Sequence, residues 1–406
     1  MRKRTLPILL VILLLAFAAY LWMDSTFSGF QPPAESTAAP SPIPTTVSAH
    51  APQILPLAND PLKKNILAAG DYLVSQQLAN GELPYQVNIL AHDRSSTPSY
   101  IRLMGGVAAL YTVCRVAEDF TYCEASDRAL EHYLPNLLAD PERFNGTCLY
   151  TNGACPLGGA TATIDAVYKR WQAAGSVTLD DRDLLADALN LGYFIVSMRK
   201  PEGGFYHSFD PHPGGTVNPD YHDPTFNGEG AAALLQLYEI TGNGFWLEQA
   251  READDFMLTQ PVTEDAGHAY ALALFARLDE LKREDVTYAK QIADLIVAGQ
   301  IRSLNPANSA IVSATKIEAL ASIAQALALS GEDPSRLDRE IKSFIAFVQA
   351  RQLPANDCNF APVDSMYKGG IFSACEDPSI RVDGVRHWVD GLTMYLEYRG
   401  MAETSR

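Results

Sequence analysis

Four carboxylates stand where an acid, a base or a nucleophile would be useful: Asp165, Asp223, Glu229 and Asp383. Each lies at or near the start of a stretch that is otherwise apolar. Two carboxyl groups in different surroundings can divide the work, one protonated and giving its proton, the other ionised and accepting one or attacking. Other candidates stand at such starts or in the long loop at 200–224. Arg102, Lys316 and Arg386 supply cations, while Tyr206, His207, His222, His268 and His387 can hydrogen-bond a ligand or move a proton. Polar side chains within apolar segments cost free energy when buried unpaired, so a wet cavity is expected to receive them. Capping competes with this reading for Thr161, Asn227, Glu229 and Asp383, because short polar side chains commonly close helix starts. Arg102 and Lys316 sit slightly inside their helices, where capping does not account for them.

The elements that must position these groups read as helices. Twelve helix-length apolar segments follow one another from about Leu62 to Tyr398. Six carry a one-sided stripe, as where Leu337, Ile341, Phe344, Ile345 and Val348 alternate with Arg339, Glu340 and Lys342. The other six, including the stretches at 101–116, 231–238, 269–276 and 317–329, are apolar around most of their circumference and predict buried helices. Short turns follow the apolar segments: Glu118-Asp119, Ala174-Gly175, residues 241–244, Leu281-Lys282 and residues 330–333. Longer loops follow the striped ones, at 80–99, 139–158, 200–224, 260–265, 299–311 and 353–380. A repeat of about 40–65 residues with one hairpin per unit is a helical array, and six units can close on themselves. Closure places every long loop at one end, where the inner helices begin. Their unpaired N–H groups and positive partial charge, with Arg102, Lys316, Arg381 and Arg386, would favour an anionic ligand there.

The chain has 406 residues, 47% of them hydrophobic, and a formal net charge of −17. No Lys/Arg cluster beyond residue 4 could neutralise a run of phosphates, which argues against nucleic acid as a partner. Arg2, Lys3 and Arg4 precede an uncharged apolar run from Leu6 to Met23. Ala16-Phe17-Ala18 would suit signal-peptide cleavage, but the run continues through Tyr20 to Met23 without a polar region, which favours an uncleaved anchor. Residues 1–27 are therefore read as a membrane anchor or signal peptide, 28–58 as a Pro/Ser/Thr/Ala-rich disordered linker, and 59–402 as the globular domain. This makes a single-pass membrane protein with its globular part outside the cytoplasm, in the periplasm or at the cell surface. Six cysteines fit an oxidising compartment; of the connectivities open to them, nearest-neighbour pairing of 114 with 123, 148 with 155, and 358 with 375 is expected, with buried free thiols as the alternative. The loop carrying His207, Asp210, His212, Asp220, His222 and Asp223 could attract zinc or calcium, but its spacing matches no helical ligand motif and its prolines and glycines describe a rigid surface loop. No metal and no cofactor is expected.

The stretch Gly203-Gly204-Phe205-Tyr206, with the segment from Asn227 to Gly242, resembles the Gly-aromatic loop and inner helix of the sugar-active six-hairpin (α/α)6 toroids, particularly uronyl C5-epimerases. The resemblance covers about residues 60–400. Neither an Asp-x-Asp-Asp nor an Asp-Asp-x-x-Asp motif stands at an inner helix start, which disfavours the terpenoid-cyclase toroids; lanthionine-cyclase zinc ligands are also missing. The resemblance implies an all-α (α/α)6 toroid acting on a polysaccharide or oligosaccharide, anionic or neutral. Hydrolysis would use Glu229 as acid with Asp165 or Asp383 opposite, from the available set Asp165, Asp223, Glu229 and Asp383. Uronate elimination or epimerisation would use Tyr206, His207, Tyr221, His222, His268 or His387 while a cation neutralises the carboxylate. Both sets are present, so the reaction stays open. So does a non-catalytic role, as a scaffold holding a glycan or partner in envelope polysaccharide assembly or secretion.

Overall fold

The computed structural model describes residues 60–95, 99–179, 182–299, 305, 307–360 and 363–404. The anchor or signal peptide expected at 1–27 and the linker at 28–58 lie outside them. Twelve α-helices stand among the described residues. Six are inner: α2 (Tyr100–Ala117), α4 (Leu157–Ala174), α6 (Phe226–Thr241), α8 (Ala266–Arg277), α10 (Ala310–Leu329) and α12 (Val382–Thr404). Six are outer: α1 (Pro61–Gln76), α3 (Phe120–Tyr133), α5 (Leu184–Ser197), α7 (Gly244–Leu258), α9 (Arg283–Ala298) and α11 (Ser335–Gln349). Each inner helix packs on the next, and α12 packs back on α2. The ring is closed.

Composition decides which helix is inside. α10, rich in Ala, Ile and Leu, is buried along nearly its whole length, whereas α11 buries only the stripe Leu337, Ile341, Phe344, Ile345, Phe347 and Val348. Each such side chain contributes about 1.5–3 kcal/mol on full burial, enough to make the stripe choose the packing face. Asp119, Asp183, Asn243, Asp265 and Ser309 cap the helices they precede. At the seam, Asp60 caps α1 through Leu62 N and also pairs with Arg399 of α12 at 2.6 Å. Above it, β1 (Gln86–Asn88) lies between β2 (Asp93–Ser95) and β9 (Ser379–Arg381), antiparallel to both. That small sheet stitches the loop before α2 to the chain entering α12, and between α3 and α4 β3 (Leu137–Ala139) pairs antiparallel with β4 (Thr147–Leu149). Gly369 (φ +90°) lets a loop lie against the backbone of α1, where a Cβ would meet Ala68 O at 1.8 Å.

The three disulfides join Cys114 to Cys123, Cys148 to Cys155, and Cys358 to Cys375. One connection departs from the expected alternation. After Gly175 the chain forms a small hairpin, β6 (Thr178–Leu179) against β7 (Arg182–Asp183), before α5 begins. Ser176 and the Asp183 cap give this segment local hydrogen bonds of its own, so it does not need to be a tight turn.

The starts of α6 and α8 meet backbone to backbone through two glycines. A Cβ on Gly228 would come within 2.0 Å of His268 N, and one on Gly267 within 2.6 Å of Glu229 N. Gly228→Ala should therefore destabilise the protein by about 3 kcal/mol, the upper end of the overpacking range, because backbone cannot step aside. Gly244→Ala, at an open helix start with nothing within 4 Å, should instead be neutral or stabilising by up to about 1 kcal/mol. Urea unfolding of the two variants checks this; equal midpoints would refute the close approach.

A candidate active site at the mouth of the ring

One face of each inner helix points to the axis, at steps of three and four residues. On α4 this brings Thr161 and Asp165 inward, on α6 Phe226, Glu229, Ala233 and Gln236, on α12 Asp383, Arg386 and His387. With Gly267 and Tyr270 of α8, Thr315 and Glu318 of α10, and Arg102 and Gly105 of α2, they line a cavity of about 690 Å³. Tyr221 and Asp223 reach it from the loop before α6. All four candidate carboxylates thus share one cavity, together with Arg102, Arg386 and His387.

Five other candidates do not line it. Consecutive helical residues are turned by about 100°, which aims His268 away from the axis although Gly267 and Tyr270 face it. Its Nε2 lies 2.8 Å from Asp254 of α7, in a buried cluster with Arg251 and Asp285. Lys316, next to Thr315, is turned likewise and pairs with Glu264 at 2.9 Å. Tyr206 lies under the Lys200 ammonium, 5.4 Å from its ring centre. His207 is buried behind the wall, its Nδ1 accepting the Asp223 N–H at 2.9 Å, and the exposed His222 stacks on it. Burial pushes the His207 pKa down to about 4, so the neutral ring is what holds this loop. Of the donors considered for a metal, His212 is bonded to Asp210 and His207 to the backbone N–H of Asp223.

The cavity floor is a network of buried charge. Lys169 lies 2.6 Å from Asp390 and 3.4 Å from Asp165. Arg386 reaches Asp390 at 3.0 Å, Glu318 at 3.6 Å and Asp165 at 3.7 Å. His387 Nδ1 lies 2.6 Å from Glu318, and Gln236 donates to Asp165 at 2.8 Å. Burial alone would raise the Glu318 pKa, but Arg386 and His387 outweigh it and bring it to about 2. Lys169, Asp390 and Gln236 were not among the sequence candidates. Their signal is a polar residue recurring one helical turn below a mouth residue, as in Asp165 to Lys169 and Arg386 to Asp390.

Two carboxyl groups nearer the mouth experience opposite surroundings. Burial opposes ionisation of Asp383, yet the hydrogen bond and charge of Arg381, helped by His387 and Arg102, hold its pKa below the ordinary value. Arg102 approaches it at 3.4 Å and lies over the Tyr85 ring. Among the described residues Glu229 has no ion-pair partner. Its contacts are hydroxyls, Thr225 Oγ1 at 3.1 Å and Thr161 Oγ1 at 3.2 Å. Burial raises its pKa, Arg386 opposes and Asp223 adds, leaving Glu229 above its ordinary value. Asp265, the buried cap of α8, is also pushed up, to about 7, mainly by burial.

No family model and no curated protein matches the chain. Solved structures do. A D-mannose isomerase aligns over 87% of this chain and all of its own, with a TM-score of 0.61 and 10% identity. An unsaturated glucuronyl hydrolase specific for heparin covers 83% of this chain and 97% of its own, with a TM-score of 0.59 and 11% identity. A cellobiose 2-epimerase from Spirochaeta thermophila covers 86% and 100%, at 0.58 and 14%. Likeness at these identities shows the fold, and that fold is the six-hairpin (α/α)6 toroid which these sugar-active enzymes share.

Because the floor is balanced by pairs, removing one partner should cost more than removing a surface charge. Asp390→Ala leaves Lys169 and Arg386 under-compensated and is expected to destabilise by about 3–5 kcal/mol. Replacing both members, as in Lys169→Met with Asp390→Leu, should recover part of that loss. A double-mutant cycle by denaturant unfolding measures it; strict additivity would refute the coupling.

Proposed function

We propose that the chain is an exported, membrane-tethered enzyme that hydrolyses a glycosidic bond of a polysaccharide or oligosaccharide in the toroid mouth. The observation that carries the reading is the opposite treatment of two carboxyl groups on one cavity: burial pushes the Glu229 pKa up, while arginine pulls that of Asp383 down. Glu229 would donate its proton to the leaving glycosidic oxygen. Asp383, or Asp165 at the floor, would accept the proton of an attacking water or attack directly, so that bond cleavage balances with the addition of one water. The sugar-active names of the structural neighbours support a carbohydrate ligand. Elimination or epimerisation is less well served. His207 and His268 are turned away from the cavity, His387 is bonded to Glu318, and the Tyr221 hydroxyl is made a weaker acid by burial and Asp223. Of the cavity arginines, Arg102 is the one with a half-exposed side chain, and it is where an anionic sugar would be met. The basic-then-apolar N-terminus and three disulfides support the exported address.

The full-length chain in mild detergent, incubated with neutral and uronate glycans, should release new reducing ends. Glu229→Gln should lower kcat by at least about 100-fold, the usual contribution of a general acid, while ligand affinity changes little. Binding without turnover in the parent protein would instead favour the scaffold role. Unsaturated products or C5 hydrogen exchange would point to elimination or epimerisation.

A further inference from the structure

Two hydroxyls and two carboxyl groups meet around Glu229, and their hydrogens can be counted. Thr225 Oγ1 lies 2.8 Å from Asp223 Oδ1 and 3.1 Å from Glu229 Oε1. Thr161 Oγ1 lies 3.2 Å from Glu229 Oε2 and 3.1 Å from the carbonyl of Gly158, which can only accept. A hydroxyl brings one hydrogen. If both carboxyl groups were ionised, Thr225 could donate to one of them, and its other contact would press two lone pairs together. A proton on Glu229 removes the conflict: Glu229 donates to Thr225, and Thr225 donates to Asp223. Asp223 suits the ionised end, since the same Oδ1 also accepts the Thr225 N–H at 3.0 Å. Its own N–H is held by His207, which fixes the acceptor in place.

We infer that Thr225 and Asp223 are positioning residues that keep the proton on Glu229 through the string Glu229 O–H to Thr225 O–H to the Asp223 carboxylate. The inference rests on the reading of Glu229 as the acid. Other groups facing Glu229 are Arg386 from α12, Asp265 from the start of α8, Tyr221 from the same loop as Asp223, and Thr161 from α4. Arg386 favours ionisation, but Glu318, Asp390 and Asp165 already share its charge.

Thr225 precedes α6 without making a side-chain cap, so its hydroxyl can be removed without uncapping the helix. The test uses Thr225→Val, Thr225→Ser and Asp223→Asn in the full chain. It reads the alkaline limb of kcat/KM and, without turnover, the Glu229 carboxyl band by infrared titration against Glu229→Gln. Thr225→Val and Asp223→Asn should move both readouts to lower pH by about one unit, a tenfold change in ionisation constant. Thr225→Ser should stay at the parent value. An unmoved Glu229 band in Thr225→Val and Asp223→Asn overturns the string even if Glu229→Gln is inactive. Full turnover by Glu229→Gln overturns the acid assignment instead, whatever the infrared titration shows.

Discussion

Charge balance in the floor of the ring governs the chemistry above it. Lys169, Arg386 and His387 face Asp165, Glu318 and Asp390 in a region with little water to screen them. Ions taken out of water are tolerated only when paired and hydrogen-bonded, so the bases here are committed to the floor acids. Asp383 draws on a separate pair, Arg381 and Arg102. Glu229 is left in the same cavity with hydroxyls for partners, and burial outweighs the pull of the more distant Arg386. Its difference from Asp383 comes less from its own helix than from where the arginines have gone.

That distribution requires the six inner helices to be in register around one axis. The seam is where a linear array would otherwise end, and it is held by unlike devices. Asp60 and Arg399 join the first and last helices, β1 and β9 join the loops, and α12 packs on α2. Opening the seam would separate Arg102 and Gly105 from Asp383 and Arg386, and the mouth would lose one wall. At the opposite side, Gly228 and Gly267 let α6 and α8 approach until Glu229 and the cap of α8 sense each other.

Much of the architecture was legible in the alternation of striped and apolar segments, because burial on one side or all sides leaves a direct mark on composition. The local pairing of the six cysteines was legible for a similar reason, since short loops bring their ends together. Side-chain direction was less so. His268 and Lys316 each stand one residue from a cavity-lining neighbour, and a rotation of about 100° is enough to bury them against α7 and Glu264 instead. The floor pairs were visible as i, i+4 charges on α4 and α12, but such spacing usually describes a solvated face. Only closure turns it inward. The hairpin at β6 and β7 carried no apolar signal strong enough to separate it from a turn.

The surroundings of Glu229 depend on loop order as much as on helix order. Asp223 belongs to the long connection before α6, which would be free to wander if it were tied only at its ends. It is tied in the middle. β5 (Cys155–Pro156) pairs with β8 (Ser208–Phe209), binding this loop to the one before α4, and Cys148–Cys155 constrains that second loop in turn. Arg143 adds hydrogen bonds to the carbonyls of Pro211, His212 and Gly215 and lies over the Phe209 ring. His207 then fixes the backbone of Asp223 from the buried side. An electrostatic partner helps a reaction only if it is already in place when charge moves. The helix therefore places Glu229 in the mouth, while the cross-linked loops fix the Asp223 carboxyl group that faces it through Thr225.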